Sequence, residues 1–126
     1  MRAGRQTRDG VAWLFFACSV SFAAIHLGIG AWVASAPAVA RQFLLLGVLA
    51  LVVPGLFLTR YWQPVLYVVG ALVTCVLGVV WLFSGASFYR LGALAGVPAL
   101  GVLVFGAYLF VREESRVSRS ARRARR

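Results

Sequence analysis

Residues 11–34 read VAWLFFACSVSFAAIHLGIGAWVA, a run of 24 residues without one charged side chain. A helix of that length rises about 36 Å, enough to cross a hydrocarbon core about 30 Å thick. Arg2, Arg5, Arg8 and Asp9 precede the run, and the charged segment Arg112 to Arg126 closes the chain. Between these ends the charges are only Arg41, Arg60 and Arg90. Each interrupts the hydropathy at the spacing expected of the ends of spanning helices, so the sequence divides into four spans at about 11–34, 43–59, 64–83 and 91–111.

Composition agrees. Of 126 residues 62% are hydrophobic and the mean hydropathy is +0.89, against about 45–50% apolar residues in an ordinary globular domain. Helices satisfy their backbone groups internally, whereas a membrane barrel would need polar alternation, which the spans lack. The expected fold is an all-α integral membrane four-helix up-down bundle, with residues 1–10 as a basic N-terminus, 11–111 as the helical domain and 112–126 as a basic tail. The second span is short, and Arg41 and Arg60 at its ends can snorkel to the headgroups.

Orientation follows from the arginines. With the N-terminus inside, eleven of the thirteen fall on the cytoplasmic side and only Arg41 and Arg90 outside, so both termini are expected in the cytoplasm of a prokaryotic cell membrane. Trp13 and Trp62 then lie at inner span ends and Trp32 and Trp81 at outer ends, as an aromatic belt requires. A cleaved signal peptide is the weaker reading of the first span, because its apolar run is about twice the 7–15 residues of such a segment.

The links are short, about eight, four and seven residues. The four-residue link Arg60–Gln63, followed by Pro64, predicts that the second and third helices are antiparallel neighbours. Leu46-Gly47-Val48-Leu49-Ala50 before Pro54 resembles Leu91-Gly92-Ala93-Leu94-Ala95 before Pro98, a pattern that chance use of Leu, Gly and Ala explains equally well. Pro54 and Pro98 each remove one helical hydrogen bond.

Helix packing is the most legible feature. Ala17, Ser21, Ala24, Gly28, Ala31 and Ser35 step by four and three residues, a stripe that is small at every turn. Gly78 in the third span and Gly92 and Gly96 in the fourth extend the theme. Lipid supplies no hydrophobic drive between helices, so grooves that admit close backbone approach are the expected glue. Cys18 and Cys75 lie within spans and read as small buried hydrophobes.

His26, the single histidine, is the one ionisable side chain well inside a span apart from the cysteines and tyrosines, and such a residue is a functional candidate by default. On a helical wheel it lies with Phe15, Cys18, Phe22, Ile29 and Val33, opposite the small stripe. The bland alternative is a neutral imidazole bonded to Thr74 or to a carbonyl freed by a proline. Two-histidine haem ligation would need a second copy of the chain, and no CxxC, HxxxH or Met cluster points to a metal. No span holds Asp or Glu, which argues against ion-coupled antiport. The acids Asp9, Glu113 and Glu114 flank the spans, and no hydrolase or transferase constellation is present.

Read as a helix, the tail carries Arg112, Arg116, Arg119, Arg123 and Arg126 on one stripe. A basic juxtamembrane segment enforces topology and rests on anionic headgroups at about 1 kcal/mol per residue; the alternative is that it serves as a docking arm for an acidic protein partner. Without aromatic interleaving it makes no platform for nucleic acid. The sequence therefore points to a small multi-pass membrane protein that is no enzyme and needs no cofactor: a subunit, scaffold or assembly factor working with a membrane-protein partner or with further copies of itself. The alternatives are an oligomeric transporter or channel, whose path would have to use Ser19, Ser21, His26, Thr74 and Ser84, and a haem- or quinone-associated redox subunit using His26.

Overall fold

The computed structural model describes residues 9–83 and 89–124. It contains α1 (Gly10–Gly28), α2 (Pro37–Phe57), α3 (Val65–Phe83) and α4 (Tyr89–Ala124), with a π-helical turn, Ile29–Val33, continuing α1. All four helices are long and apolar enough to cross a membrane, α1 counted together with its π turn as Gly10–Val33.

The elements start and stop for local reasons. Asp9 caps α1, its Oδ1 accepting from the Ala12 N–H at 3.2 Å, a task at which aspartate is among the best residues. At the other end the Ala34 N–H donates to the Ile29 carbonyl at 2.9 Å, closing the wider π turn. α2 begins at Pro37, whose locked φ suits a first helical turn. This corrects the expected start near residue 43. Arg41 does not end a loop but is an exposed residue of the helix, and α2, at 21 residues, needs no thinned bilayer. The first link is residues 34–36, not eight residues. α2 ends where Thr59 Oγ1 donates to the Leu56 carbonyl at 2.7 Å and accepts from the Tyr61 N–H at 3.2 Å, turning the chain at Arg60–Gln63. α2 runs through Pro54 and α4 through Pro98 without a break. α4 continues helically past the expected end of the fourth span to Ala124.

The principal interfaces are α1 with α2, α1 with α4 and α3 with α4, while α2 and α3 meet only slightly. For α2 and α3, adjacency in sequence therefore did not translate into extensive packing. The short link keeps the joined ends close, and beyond it each of the two helices packs mainly on another partner, α2 on α1 and α3 on α4.

The core has two parts. The first joins Ala12 and Phe15 of α1, Phe57 of α2, Tyr67 of α3 and Val102 and Leu109 of α4. It is a nest of rings: Phe15 packs edge-on to Tyr67 at 5.0 Å between centroids, and Trp62 meets Phe57 and Tyr67 edge-on at 5.0 Å each, the geometry that aromatic quadrupoles favour. Trp62 is thus half-buried in the nest as well as placed at a span end. The second part joins Phe22 and Ala23 of α1, Ala50 of α2, Leu77 of α3 and Ala95 of α4.

Glycines set the closest approaches. A Cβ on Gly30 would sit 2.9 Å from both the Ala40 carbonyl oxygen and the Leu44 nitrogen of α2, and one on Gly47 would sit 2.6 Å from Leu27 Cγ. α1 and α2 therefore touch almost backbone to backbone.

Candidate functional site

The inward face of α1 carries Ala12, Phe15, Ser19, Phe22, Ala23 and His26, all buried. Ala17, Ser21, Ala24, Ala31 and Ser35 are exposed and Gly28 is half-buried. The helical wheel correctly opposed His26 to the small stripe, but within the chain the imidazole side packs and the small side faces out. The expectation of the stripe as the glue of this chain's own helices is corrected: a Cβ on Gly28 would meet only the ring of Trp32 in its own segment, at 3.8 Å. Aromatic rings bury more area per residue than small side chains do, and they decide which face turns inward. The π turn adds a break in phase, and Ser35 lies beyond the helix altogether.

The glycines named from sequence divide. Gly92 lies under Trp81, where an added Cβ would fall 2.2 Å from the ring, so it does serve the α3–α4 contact. Gly78 and Gly96 have nothing within 4 Å of the position a Cβ would take. Both line a cavity of about 230 Å³ formed by Phe22, His26, Ile29, Phe43, Leu77, Gly78, Trp81, Leu82, Gly92, Ala95, Gly96 and Ala99. Every helix contributes, at the end of the bundle where α1 gives way to α2 and α3 to α4.

His26 is 9% exposed. Its Nδ1 lies 2.9 Å from the Phe22 carbonyl oxygen. A carbonyl only accepts, so Nδ1 carries the proton and the neutral ring keeps an acceptor lone pair on Nε2. The ring also lies 4.4 Å from the centroid of Phe22 and 6.0 Å from that of Phe43. The bond to Thr74 weighed from sequence is absent: Thr74 Oγ1 donates to the Gly70 carbonyl at 2.9 Å, and Ser19 Oγ to the Phe15 carbonyl at 2.9 Å. Each of the three polar side chains bonds a carbonyl four residues back in its own helix rather than a group on another helix.

They do not make a polar path. Ser19 and Thr74 share a void of about 10 Å³, about the least that holds one water. His26 lines the larger cavity, Ser21 is exposed on the opposite face, and Ser84 lies outside the described residues. Cys18 is half-buried and Cys75 exposed, both as free thiols, where two buried residues were expected. Among the described residues no group of three or more His, Cys, Asp or Glu side chains is placed to hold a metal ion.

At the other end Arg112 Nη1 binds Asp9 Oδ2 in an ion pair that ties the first turn of α1 to α4. The guanidinium holds the Asp9 carboxyl below its ordinary range. Arg112 also lies 5.7 Å from the Tyr108 ring centroid. This tie escaped the sequence reading, although an acid immediately before the first span and an arginine immediately after the last were its visible signs. Arg116 pairs with Glu113 at 3.4 Å, and Arg119 is exposed. The side chain of Arg123 and the whole of Arg126 lie outside what is described. Set against protein-family models, curated proteins and solved structures, the chain matches none.

Proposed function

We propose that the protein is a non-enzymatic subunit, scaffold or assembly factor of a membrane complex, threaded four times through a prokaryotic cell membrane with both termini cytoplasmic, and that α1 carries its docking face. The observation behind this reading is the outward position of Ala17, Ser21 and Ala24. A row of small residues turned away from its own bundle leaves the α1 backbone open to close approach by another transmembrane helix, the contact that drives association where lipid is as apolar as protein. The partner is another membrane protein or a second copy of this chain. Eleven arginines on one side against two on the other support the orientation. The helical extension with Arg116 and Arg119 would then lie along the anionic cytoplasmic surface.

The test is affinity purification of the full-length chain in mild detergent, with the mass of the native particle and the identity of its chains determined. The expected result is a particle heavier than one chain, reduced to a single chain by Ser21→Leu with Ala24→Leu while the helical signal persists. A wild-type particle of one chain, or an assembly indifferent to the double substitution, would overturn the reading.

A further inference from the structure

The cavity beside His26 is unused by a docking face on the other side of α1. We propose that it is a binding site for a hydroxyl-bearing aromatic ring, the head of a membrane-dissolved phenol or hydroquinone, held by a hydrogen bond from its hydroxyl to His26 Nε2.

Four observations converge on this ligand class. The first is size: about 230 Å³ exceeds the roughly 150 Å³ of an apolar cavity that accepts benzene, yet falls below the roughly 300–1,000 Å³ of pockets for drug-sized molecules. One or two fused rings fit. The second is the wall. Phe22, Phe43 and Trp81 supply rings, and Gly96 leaves open space where a larger residue would fill it.

The third is the polarity of the one imidazole. His26 is nine-tenths buried and commits its Nδ1 proton to the Phe22 carbonyl, and among the described residues no hydrogen bond reaches Nε2. What this lining imidazole has left to offer a ligand is an acceptor. A ketone or ether oxygen cannot satisfy it, whereas a hydroxyl can. A hydrocarbon chain would fill the space but leave the nitrogen without a partner, which the apolar surroundings penalise.

The fourth is access. Gly78 and Leu82 of α3 line the cavity and are exposed, so the cavity is not sealed along α3, and in a membrane its opening meets the apolar phase that surrounds the helices. A ligand already dissolved in the membrane enters sideways without crossing an aqueous boundary. The π turn Ile29–Val33 begins three residues after His26 and its first residue lines the cavity. Such turns recur next to functional groups.

The experiment uses the full-length chain in phosphatidylcholine vesicles and two fluorinated probes of nearly equal shape, 6-fluoro-2-naphthol and its methyl ether, followed by ¹⁹F NMR. Affinities are referred to the probe concentration within the membrane, which removes the difference in partitioning. The naphthol is expected to bind saturably and about 5- to 10-fold more tightly than the ether, the worth of one neutral hydrogen bond. His26→Phe should abolish that preference while retaining binding of the ether, and Gly96→Leu should abolish binding of both by occupying the space. Equal affinities for the two probes, no saturable binding, or a preference that survives His26→Phe would each overturn the proposal. Because the comparison of the two probes is made on the wild-type chain, it decides the matter even if neither variant folds.

Discussion

Gly30→Ala is the sharpest probe of how α1 and α2 meet. The added Cβ would lie 2.8 Å from Leu44 Cγ, 2.9 Å from the Ala40 carbonyl oxygen and 2.9 Å from the Leu44 nitrogen. The leucine side chain can rotate aside, but the other two atoms belong to the α2 backbone. Restoring ordinary contact therefore requires α2 to retreat by about half an ångström. A gap of about 0.5–1 Å forfeits a quarter to a half of the attraction between the atoms that face it, and overpacking of this kind costs about 1–3 kcal/mol. Alanine recovers at most about 1 kcal/mol through helix propensity. Gly55→Ala is the internal control, because nothing lies within 4 Å of its added Cβ and only the propensity gain applies. The two variants should thus differ by about 1–3 kcal/mol, the overpacking cost that Gly30→Ala alone bears, in reversible unfolding by sodium dodecyl sulfate in mixed micelles, with Gly30→Ala below the wild type and Gly55→Ala at or above it. Equal stability, or a stabilised Gly30→Ala, would refute the close backbone contact.

Three further outcomes follow. The Asp9–Arg112 pair is partly exposed, 38% and 22% at the side chains, so it is worth at most about 1 kcal/mol; Asp9→Asn, which keeps a capping side chain, should cost no more than that, and Asp9→Ala about 1–2 kcal/mol because the cap goes too, both read by thermal unfolding in detergent. Since Arg112 lowers the Asp9 pKa in the folded chain, the pair's contribution is fully present above the unfolded value of about 3.9 and fades as pH falls through the lower folded value. A wild-type minus Asp9→Asn difference that instead fades as pH rises from 5 to 8 would contradict the assignment. Arg116→Gln with Arg119→Gln should weaken association of a peptide spanning residues 105–126 with vesicles rich in phosphatidylserine by about 2 kcal/mol at low salt, and less at high salt, as measured by vesicle sedimentation.

The number of helices was legible because a span announces itself by length and by the absence of charge, and the charges at Arg41, Arg60 and Arg90 sit at or near the breaks. The start of α2 was not, because Arg41 was read as the end of a loop, whereas the helix starts at Pro37 and simply carries the arginine outward. Which side of α1 turns inward was also hidden. In water, polarity sorts a helix into faces, but here Ser19, His26 and Thr74 bond their own helices and every side of α1 is apolar enough for lipid. A small stripe states only that a backbone can be approached there, not by which helix. The pairing of the helices depends on rings from distant parts of the chain, Phe15, Phe57 and Tyr67, and no local pattern links these. His26 stands out in the sequence as the single histidine, but the cavity it lines is made with Phe43, Leu77 and Trp81, whose convergence only the fold reveals.

The central claim is that α1 turns its aromatic and imidazole side inward and its small side outward. Thiol cross-linking in native membranes tests it most directly, using cysteine pairs in a background of Cys18→Ala and Cys75→Ala and a bifunctional reagent of about 8 Å reach. Ala23 is 0% exposed and shares a core cluster with Ala50, which is 5% exposed, whereas Ala24, one residue on, is exposed. The account predicts an intrachain bridge for Ala23→Cys with Ala50→Cys, seen as one added linker in the intact mass, and none for Ala24→Cys with Ala50→Cys. A bridge from position 24 and none from position 23 would contradict it.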